Sequence, residues 1–372
     1  MGEAGEHAIS FRETLIAETY RRSIICSSRS GSRLALAPNS MIASMRVLFI
    51  GGTGNISTAA TCLLAERGVD VVVLNRGQSD VPLPDGVRRI RADIRDSSAV
   101  SDALRGEEFD VVVDWLAYVP EHVEADIELF GGRISHYVFI STAMVYRKPS
   151  PFFPLVEEAP LGNTHSQYAR DKIACEERLG REYEQKGFPA TIVRPSYTYG
   201  ERWIPTALDG TDYTIVDRML RGKQVIVPGD GESLWTMTHN TDFARALVGI
   251  LGNAAAVGEA FHITSDEVLT WNQITETIAA AAGLEPDIVH IASDFVAASA
   301  PELAEGLLGD KAYSLVFDTS KLKRFVPGFQ AAVPLAEGLA RSLAWFEADP
   351  ARKVVNEERD ALLDRIIAAY AA

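Results

Sequence analysis

Tyr168 and Lys172 stand four residues apart in a stretch, residues 167–180, whose pattern predicts a helix. Residues at this spacing lie on one helix face, one turn apart. A phenol with an ordinary pKa near 10 is a poor acid–base catalyst at neutral pH. A neighbouring ammonium lowers that pKa by favouring the phenolate, and it can also hold the ribose of a cofactor. The pair therefore indicates proton transfer, although chance also places Tyr and Lys at this spacing on solvated helices.

Two hydroxyl side chains, Ser141 and Thr142, follow the apolar run at residues 137–140. The run predicts a strand, and a wound sheet places its ligands at the carboxyl ends of its strands. A hydroxyl there can donate to a substrate carbonyl or alcohol while Tyr168 moves the proton. For Ser141 we expect only the capping of the turn after the strand. Thr142 is therefore the candidate third member of the catalytic set.

A glycine-rich turn, Gly-Gly-Thr-Gly-Asn-Ile-Ser at residues 51–57, separates an apolar run at 47–50 from a helical pattern that reaches Arg67. Glycines let the backbone approach a pyrophosphate, whose charge is met by the N–H groups and dipole of the helix N-terminus. Such turns also use glycine for purely structural reasons, but this one follows the first strand of the fold. Ser57 replaces the third glycine and predicts slightly wider packing of helix against strand. The predicted dinucleotide-binding residues of this turn are Gly51, Thr53, Gly54, Asn55 and Ile56.

The choice of cofactor depends on the end of the second strand, where an acidic residue would bind the ribose 2′-hydroxyl of NAD. This position holds Asn75, followed by Arg76. A guanidinium without a competing carboxylate favours NADP, with NAD as the alternative. Arg76 that only stacks on the adenine or faces solvent would remove this preference. After the third strand, Asp93 and Ile94 are expected at the adenine, although Asp93 competes with Asp96 for capping the next helix.

The elements that must position these residues follow from apolar runs that alternate with helical patterns. The runs occupy residues 47–50, 69–74, 87–92, 111–113, 137–140 and 191–193. Strands that are apolar throughout are buried on both faces, which is typical of a parallel sheet wound by right-handed crossovers. The sequence therefore predicts an α/β fold with a doubly wound, Rossmann-type parallel sheet.

The predicted domain organisation has four parts. Residues 1–44, rich in Ser and Arg from residue 21 to 40, read as a disordered leader, an upstream start or, less well, a targeting peptide. Residues 45–195 form the dinucleotide-binding domain, to which part of 236–262 returns. Residues 196–346, broken by Pro and Gly, form mainly a smaller substrate-binding lobe over the carboxyl ends of the strands. Residues 347–372 read as a C-terminal amphipathic helix.

Composition limits the partners of the chain. A formal net charge of −15 opposes a general role on nucleic acid or on an anionic membrane, because both surfaces repel it. The three widely spaced cysteines form no metal-ligand pattern and favour a reducing compartment. No apolar run approaches the roughly 20 residues of a membrane span. We therefore expect a soluble, cytoplasmic protein that acts on a small molecule and binds neither metal, nucleic acid nor membrane.

Several short motifs occur in one order along residues 46–346. They are Gly-Gly-Thr-Gly at 51–54, Asp-Ile at 93–94, Ser-Thr-Ala-Met-Val-Tyr at 141–146, Tyr-Ala-Arg-Asp-Lys at 168–172, Arg-Pro-Ser-Tyr-Thr-Tyr-Gly at 194–200, Gly-Asp-Gly at 229–231 and His-Asn-Thr-Asp-Phe-Ala at 239–244. This set resembles the extended short-chain dehydrogenase/reductase superfamily, in its branch of NAD-dependent nucleotide-sugar epimerases and dehydratases. The resemblance implies Thr142, Tyr168 and Lys172 as the catalytic triad. If the nicotinamide lies over the sheet, we expect Trp115 or Ala117 near its ribose. The resemblance also implies a homodimer through the helix bearing Tyr168.

The departures from that family pattern bear on the substrate. The dehydratases follow the catalytic Thr with Asp-Glu, but here Ala143-Met144 supplies neither carboxyl, so sugar dehydration is not expected. The epimerases carry an Arg that clamps the substrate diphosphate at the position of Trp235, and an indole can only stack on a ring or sugar face. Asp114-Trp115 also replaces the smaller residues common after the fourth strand. The residues expected to line the substrate pocket, or alternatively the core of the lobe, are Tyr197, Tyr199, Trp203 and Trp235.

The leading hypothesis is reversible hydride transfer between NADP(H) and a carbonyl or carbinol carbon of a small substrate, such as a sugar or sugar nucleotide. Tyr168 would act as acid and base, Lys172 would lower its pKa and hold the ribose, and Thr142 would polarise the oxygen. One alternative is a nucleotide-sugar epimerase that keeps and recycles bound NAD. Another, of a different class, is a non-catalytic dinucleotide-sensing or RNA-associated protein.

Overall fold

A computed structural model describes residues 44–79, 81–208 and 210–372. The predicted leader therefore lies outside the described residues except for Ser44. In the first half of the chain, strands and helices alternate: β1 Arg46–Ile50, α1 Ser57–Glu66, β2 Asp70–Asn75, β3 Arg88–Arg91, α2 Ser97–Ala103, β4 Val111–Asp114, α3 Pro120–Phe130, β5 His136–Ile140, α4 Gln167–Lys186 and β6 Ala190–Pro195. All six predicted strands are present, each within three residues of its predicted bounds.

The second half has shorter elements. They are β7 Tyr197–Tyr199, α5 Thr214–Leu220, β8 Val225–Pro228, β9 Leu234–Trp235, β10 Met237–His239, α6 Asn240–Ile250, β11 Ala260–Ile263, β12 Leu269–Thr270, α7 Trp271–Ala282, β13 Ile288–Ile291, α8 Ser293–Ser299, α9 Pro301–Gly306, α10 Ser320–Phe325, α11 Leu335–Glu347 and α12 Glu357–Ala371. A π-helical turn, Leu307–Lys311, follows α9. Three two-stranded sheets, β7 with β10, β8 with β13 and β9 with β12, belong to the lobe.

The main sheet has seven parallel strands in the order β11-β6-β5-β4-β1-β2-β3. The predicted doubly wound parallel sheet is thus confirmed. Alternate residues of each strand face opposite layers, so Val47 and Phe49 pack under α1 and α6, whereas Leu48 and Ile50 pack towards α3 and α4. The strand order reverses between β1 and β4, and the carboxyl ends of these strands open the crevice where such sheets bind ligands.

Two segments return from the lobe to the main sheet. One lies within residues 240–263, where α6 packs on α1 and β11 adds the edge strand beside β6; the expectation concerned part of residues 236–262. The second segment is α10 with the residues that follow it. Leu322, Val326 and Phe329 bury their side chains in the same core layer as α1 and α6, because α10 covers the face of β11 that the edge of the sheet would otherwise expose.

Two helix bounds differ from the prediction. The helix that carries Tyr168 does not stop at Gly180 but continues to Lys186, where Gly187 at φ +71° ends it. The terminal helix does not begin at Glu347, which is the last residue of α11. It begins at Glu357, because the chain is interrupted at Pro350 and the Asn356 side chain then accepts the N–H of Arg359 as a new N-cap.

Candidate active site

The glycine-rich turn between β1 and α1 has a backbone that only glycine adopts without strain. Gly51 and Gly52 have φ values of +111° and +85°. A Cβ at Gly52 would also lie 2.0 Å from Cγ1 of Val73 on the neighbouring strand. At Gly54 a Cβ would meet only the Ser57 hydroxyl, at 3.4 Å. The turn is therefore pressed against β2 on one side and leaves its backbone uncovered on the side of the cleft.

Two side chains of the turn hold it in place. The Ser57 hydroxyl accepts the N–H of Gly54 at 2.8 Å, so the serine that replaces the third glycine closes the turn on itself. The Asn55 amide donates to the Thr198 carbonyl at 3.3 Å, and the Asn240 amide donates to the Asn55 carbonyl at 2.8 Å. Asn55 thus lines the cleft and also fastens the turn to the start of the lobe.

The far end of the cleft collects the polar residues expected at an adenosine. Asn75 accepts the Gly77 N–H at 2.9 Å and so shapes the turn after β2. The exposed Arg76 lines the cleft beside Gln78 and Ser79. Opposite them lie Asp93 and Ile94. The α2 helix is capped by Asp96, which accepts the Ala99 N–H at 3.0 Å, so Asp93 is not needed for that cap.

These residues fit a dinucleotide. The uncovered backbone of the turn at the N-terminus of α1 suits a pyrophosphate, and a guanidinium stands beside the position of the ribose. Trp115 lines the same cleft between them, with its indole packed edge-on to Phe49 at 5.5 Å between ring centroids. The cleft has a volume of about 960 Å³ and runs from Arg76 to the lobe. In the described part of the chain, no cluster of His, Cys, Asp and Glu side chains could hold a metal ion.

The three candidate catalytic side chains meet at the middle of this cleft. Thr142 follows β5, and its hydroxyl accepts the Met144 N–H at 3.2 Å in the turn after the strand. The same hydroxyl lies close enough to the phenol of Tyr168 to lower its pKa. Tyr168 sits in the first turn of α4 because Ser166 caps this helix by accepting the Ala169 N–H at 3.0 Å. The chain thus brings together the end of one strand and the start of the next helix.

Lys172 lies one turn further along α4 and is 2% exposed. Its Nζ donates to the carbonyls of Ala117 at 2.6 Å and Ile140 at 2.7 Å, which come from the ends of β4 and β5. Burial lowers the pKa of this ammonium to about 8. Nζ also lies 5.8 Å from the ring centroid of Tyr168. Lys172 therefore ties the catalytic helix to the two strands at the centre of the crevice.

The pKa of Tyr168 is raised in this structure above its ordinary value. Burial raises the pKa of the Tyr168 phenol to about 12, the neighbouring Tyr118 adds to the rise, and the Thr142 hydroxyl opposes it. The lysine hydrogens are directed at backbone carbonyls and not at the phenol. In this geometry Tyr168 is a neutral proton donor at physiological pH.

Comparison with known proteins identifies the family. The profile of the NAD dependent epimerase/dehydratase family matches residues 47–264, more than half of the chain. The chain belongs to this family. The predicted superfamily is thereby confirmed, and with it the expectation of a nicotinamide-dependent enzyme class that spans reductases, epimerases and dehydratases.

Individual relatives carry different activities. A 2′-dehydrokanamycin reductase of Streptomyces kanamyceticus is 28% identical over 290 residues, which cover 77% of this chain and 80% of that protein. A chloroplast stem-loop binding protein of 41 kDa from Arabidopsis thaliana is 29% identical over 66% of this chain and 65% of its own length. Among solved structures, a UDP-glucose 4-epimerase from Bifidobacterium longum in complex with NAD+ and UDP matches with a TM-score of 0.67. It is 19% identical and covers 83% of this chain and 100% of its own. At that identity the likeness shows the fold.

Aromatic side chains line the lobe end of the cleft. Tyr197 and Trp203 are half-buried and line the cleft. Trp235 forms its floor but is only 1% exposed, since its indole packs on Trp271 and its N–H donates to the Tyr313 carbonyl at 3.0 Å. Little of the Trp235 ring is therefore left for stacking on a ligand.

Tyr199 is a correction to the predicted substrate pocket. Its side chain is fully buried and does not line the cleft. The ring packs edge-on to His239 at 5.4 Å, and its hydroxyl lies against Gly338, where a Cβ would come within 1.9 Å of it. Tyr197 and Tyr199 lie on the same face of β7, but only the second is covered, because His239 and Gly338 pack against its ring.

Three residues that sequence reasoning missed also line the cleft. Tyr118 is 44% exposed, and its ring lies 6.3 Å from that of Tyr168. Its place four residues after β4 could have indicated it, because ligands gather at strand ends. Asp310 and Lys311 come from the π-helical turn after α9. No local signal marks them, since they reach the cleft only through the fold of the lobe.

A buried ion pair supports the catalytic strand from behind. Arg194 on β6 binds both oxygens of Glu176 on α4, at 3.0 and 2.6 Å, and Glu176 also accepts the Ser141 hydroxyl. Arg194 donates further to the Tyr146 hydroxyl at 2.7 Å. Ser141 thus fixes the end of β5 in the core and leaves Thr142 to face the cleft.

No helix in the described part of the chain is long and apolar enough to cross a membrane.

Proposed function

We propose that the protein is an NADP-dependent oxidoreductase that reduces a ketone of a small, sugar-like substrate or oxidises the corresponding alcohol. The observation that carries this proposal is the convergence of Thr142, Tyr168 and Lys172 in one cleft with the glycine-rich turn. The reductase relative supports the direction towards an alcohol, because its printed name describes reduction of a keto-aminoglycoside.

The roles of the side chains follow from their positions. The cofactor supplies a hydride to the carbonyl carbon when it is bound. Tyr168, as a neutral phenol, gives its proton to the carbonyl oxygen, and the product is an alcohol. The Thr142 hydroxyl would donate its one hydrogen to the same oxygen, and Lys172 would hold the ribose of a bound cofactor. The exposed Arg76 pairs with a 2′-phosphate, which is the reason for preferring NADP.

We propose that the substrate has no nucleotide diphosphate. Trp235 supplies no charge at the position where epimerases of the family clamp that group, and its ring is largely buried. The charged groups that the lobe adds to the cleft lining are Asp310 and Lys311, of opposite sign, and Asp310 is paired with Lys148. The lobe end of the cleft thus offers one acidic and one basic side chain, together with the half-buried rings of Tyr197 and Trp203. This lining suits a neutral or mixed-charge sugar or cyclitol.

Replacement of Tyr168 by Phe tests the proposal. NADPH consumption would be followed with a panel of keto sugars, keto cyclitols and UDP-keto sugars. We expect Y168F to lose about 10²- to 10⁴-fold in kcat with an unchanged NADPH affinity, since general acid catalysis contributes that much. Tyr118→Phe, at the neighbouring ring, is the matched control and should retain activity. Full activity in Y168F would refute the assignment of the acid.

The epimerase alternative makes a different prediction about the purified protein. An enzyme that recycles its cofactor holds NAD tightly and releases none during turnover. The neighbours crystallised with NAD support this alternative. Denaturing the protein and identifying the released nucleotide by mass separates the two cases. Stoichiometric NAD would favour the epimerase, whereas exchangeable NADP favours the oxidoreductase.

A nucleic-acid-binding function is the second candidate, because one relative is named as a stem-loop binding protein. The net charge of −15 opposes it. A gel shift with a stem-loop RNA at about 50 and 200 mM salt tests it, since phosphate contacts make such binding strongly salt-dependent. Binding that is strong at low salt, falls at high salt and is displaced by NADPH would support this candidate.

A further inference from the structure

Two carboxyl groups near Lys172 are buried, and in the described part of the chain neither makes an ion pair with a basic side chain. Asp114 ends β4 and Asp126 lies on α3, and they are 1% and 2% exposed. The Tyr137 hydroxyl donates to Asp126 at 2.7 Å and lies 3.4 Å from Asp114. An isolated pair of carboxylates is costly in such a place unless the two share a proton.

The contacts assign the proton to Asp126. Burial and the adjacent Asp114 raise the pKa of Asp126 well above its ordinary value, and the Tyr137 hydroxyl, which lies between the two carboxyl groups, opposes the rise. Asp114 has the better anion environment, because its Oδ1 accepts the N–H groups of Leu116 at 2.6 Å and Ala117 at 3.0 Å. Asp126 is thus a neutral acid beside the Asp114 carboxylate.

Asp114 supports Lys172 both through the backbone of Ala117 and through its charge. It holds the turn after β4 by the N–H of Ala117, and the carbonyl of the same residue accepts Lys172 Nζ at 2.6 Å. It is also paired in register with Phe139, whose ring lies 4.6 Å below Nζ, so that both side chains occupy the same layer of the sheet. The carboxylate therefore provides both a geometric and an electrostatic support for a buried ammonium.

We propose that Asp114 and Asp126, sharing one proton, form a positioning pair that holds Lys172 in place and keeps it charged beneath the cofactor cleft. This inference takes the role of Lys172 on the ribose from the proposed function. The charge of Lys172 itself is a property of the protein without substrate or cofactor and can be measured directly.

Other charged or titratable groups surround Lys172. Among those described, Asp114 combines a negative charge with a position close to the ammonium group. The groups on α4 are Tyr168, Cys175 and Glu176, and those on the other elements are Asp114, Asp126, Tyr118, His122 and Arg95. Glu176 is bound to Arg194, and Cys175 is a neutral thiol because burial and its surroundings raise its pKa to about 12. Arg95 opposes the lysine charge. Asp114 is the strongest of the groups that favour it.

The test is a titration of Lys172 by NMR in protein labelled at the lysine Cε carbon, with the resonance assigned by its loss in K172M. We expect a midpoint near 8 in the wild type. Asp114→Asn removes the carboxylate and should lower the midpoint by about one pH unit or more. Asp126→Asn is the matched control, since the amide can replace a neutral acid in the hydrogen bond with Tyr137, and it should leave the midpoint within about 0.3 unit.

An unchanged midpoint in folded D114N, or an equal fall in both variants, would overturn the inference. If D114N does not fold, the wild type and D126N still test the inference. The wild type must keep a protonated-carboxyl stretch in its infrared spectrum at about pH 8 that D126N lacks, and D126N must leave the Lys172 midpoint in place. A wild type that binds neither NADPH nor NADH would instead refute the proposed function and leave this titration intact.

Discussion

Replacing Arg76 by Ala separates the two cofactors. The side chain lines the adenosine end of the cleft and is exposed. A hydrogen bond to a charged group contributes about 1.5–3 kcal/mol, and solvent screening at an exposed site favours the lower end of this range. A loss of about 1.5 kcal/mol corresponds to roughly tenfold weaker binding. We therefore expect R76A to raise the Kd for NADPH about tenfold and to leave the Kd for NADH within about twofold.

The assay is a fluorescence titration of purified protein with each reduced cofactor at two salt concentrations. The NADPH advantage should shrink at the higher concentration, because exposed charges are screened. Arg88→Ala is the matched control, since Arg88 is an exposed arginine of β3 that pairs with Glu107 outside the cleft. Equal losses of NADPH and NADH in R76A, or a wild type that prefers NADH, would refute the assignment of Arg76 to a 2′-phosphate.

Three further predictions concern stability and follow from single contacts. Gly52 and Gly86 have nearly the same φ, +85° and +88°, but only at Gly52 would the added methyl group of alanine meet a neighbour. We expect G86A to lower the free energy of unfolding by about 1 kcal/mol, and G52A to lower it by at least about 2 kcal/mol more, as measured by urea denaturation. Equal losses in the two variants would contradict the clash. Glu176→Gln breaks the buried pair with Arg194 and should lower the free energy of unfolding by about 3 kcal/mol, whereas E177Q, in a loose exposed pair with Arg181 at 3.9 Å, should change it by under about 0.5 kcal/mol. Burial lowers the pKa of His136 to about 4, below the value near 6.5 of the unfolded chain. About 3 kcal/mol of the free energy of unfolding is therefore present above pH 6.5 and is lost as the pH falls towards 4. If the stability of wild type and of H136N falls equally with acid, the histidine does not contribute.

The features that the sequence predicted well are those that depend on neighbours along the chain. The apolar runs, the glycine-rich turn and the spacing of Tyr168 and Lys172 determine strands, a tight turn and one helix face, because backbone preferences act over a few residues. The parallel sheet follows from them, since runs buried on both faces need helices on both sides. The carboxyl edge then collects Thr142, Asn75 and the turn at residues 51–57 without further information.

The features that were missed or wrong depend on packing between distant segments. Tyr197 and Tyr199 differ by two residues, yet one faces the cleft and the other is enclosed by His239 and Gly338. The burial of Trp235 depends on Trp271 in the same way. A pattern along the chain cannot reveal such partners, because elements tens of residues away decide which positions on one face of a short lobe strand are covered.

The sequence by itself determined a nicotinamide-dependent fold with a Tyr-Lys centre, because backbone turns, strand periodicity and helix spacing are local properties. Only the tertiary structure decided the electrostatics of that centre. It buried Lys172 against two carbonyls, raised the pKa of Tyr168 and placed Asp114 with Asp126 near the lysine. The charge state of a side chain depends on its solvent exposure and on the charges around it, and both are set by contacts that the folded chain alone brings together.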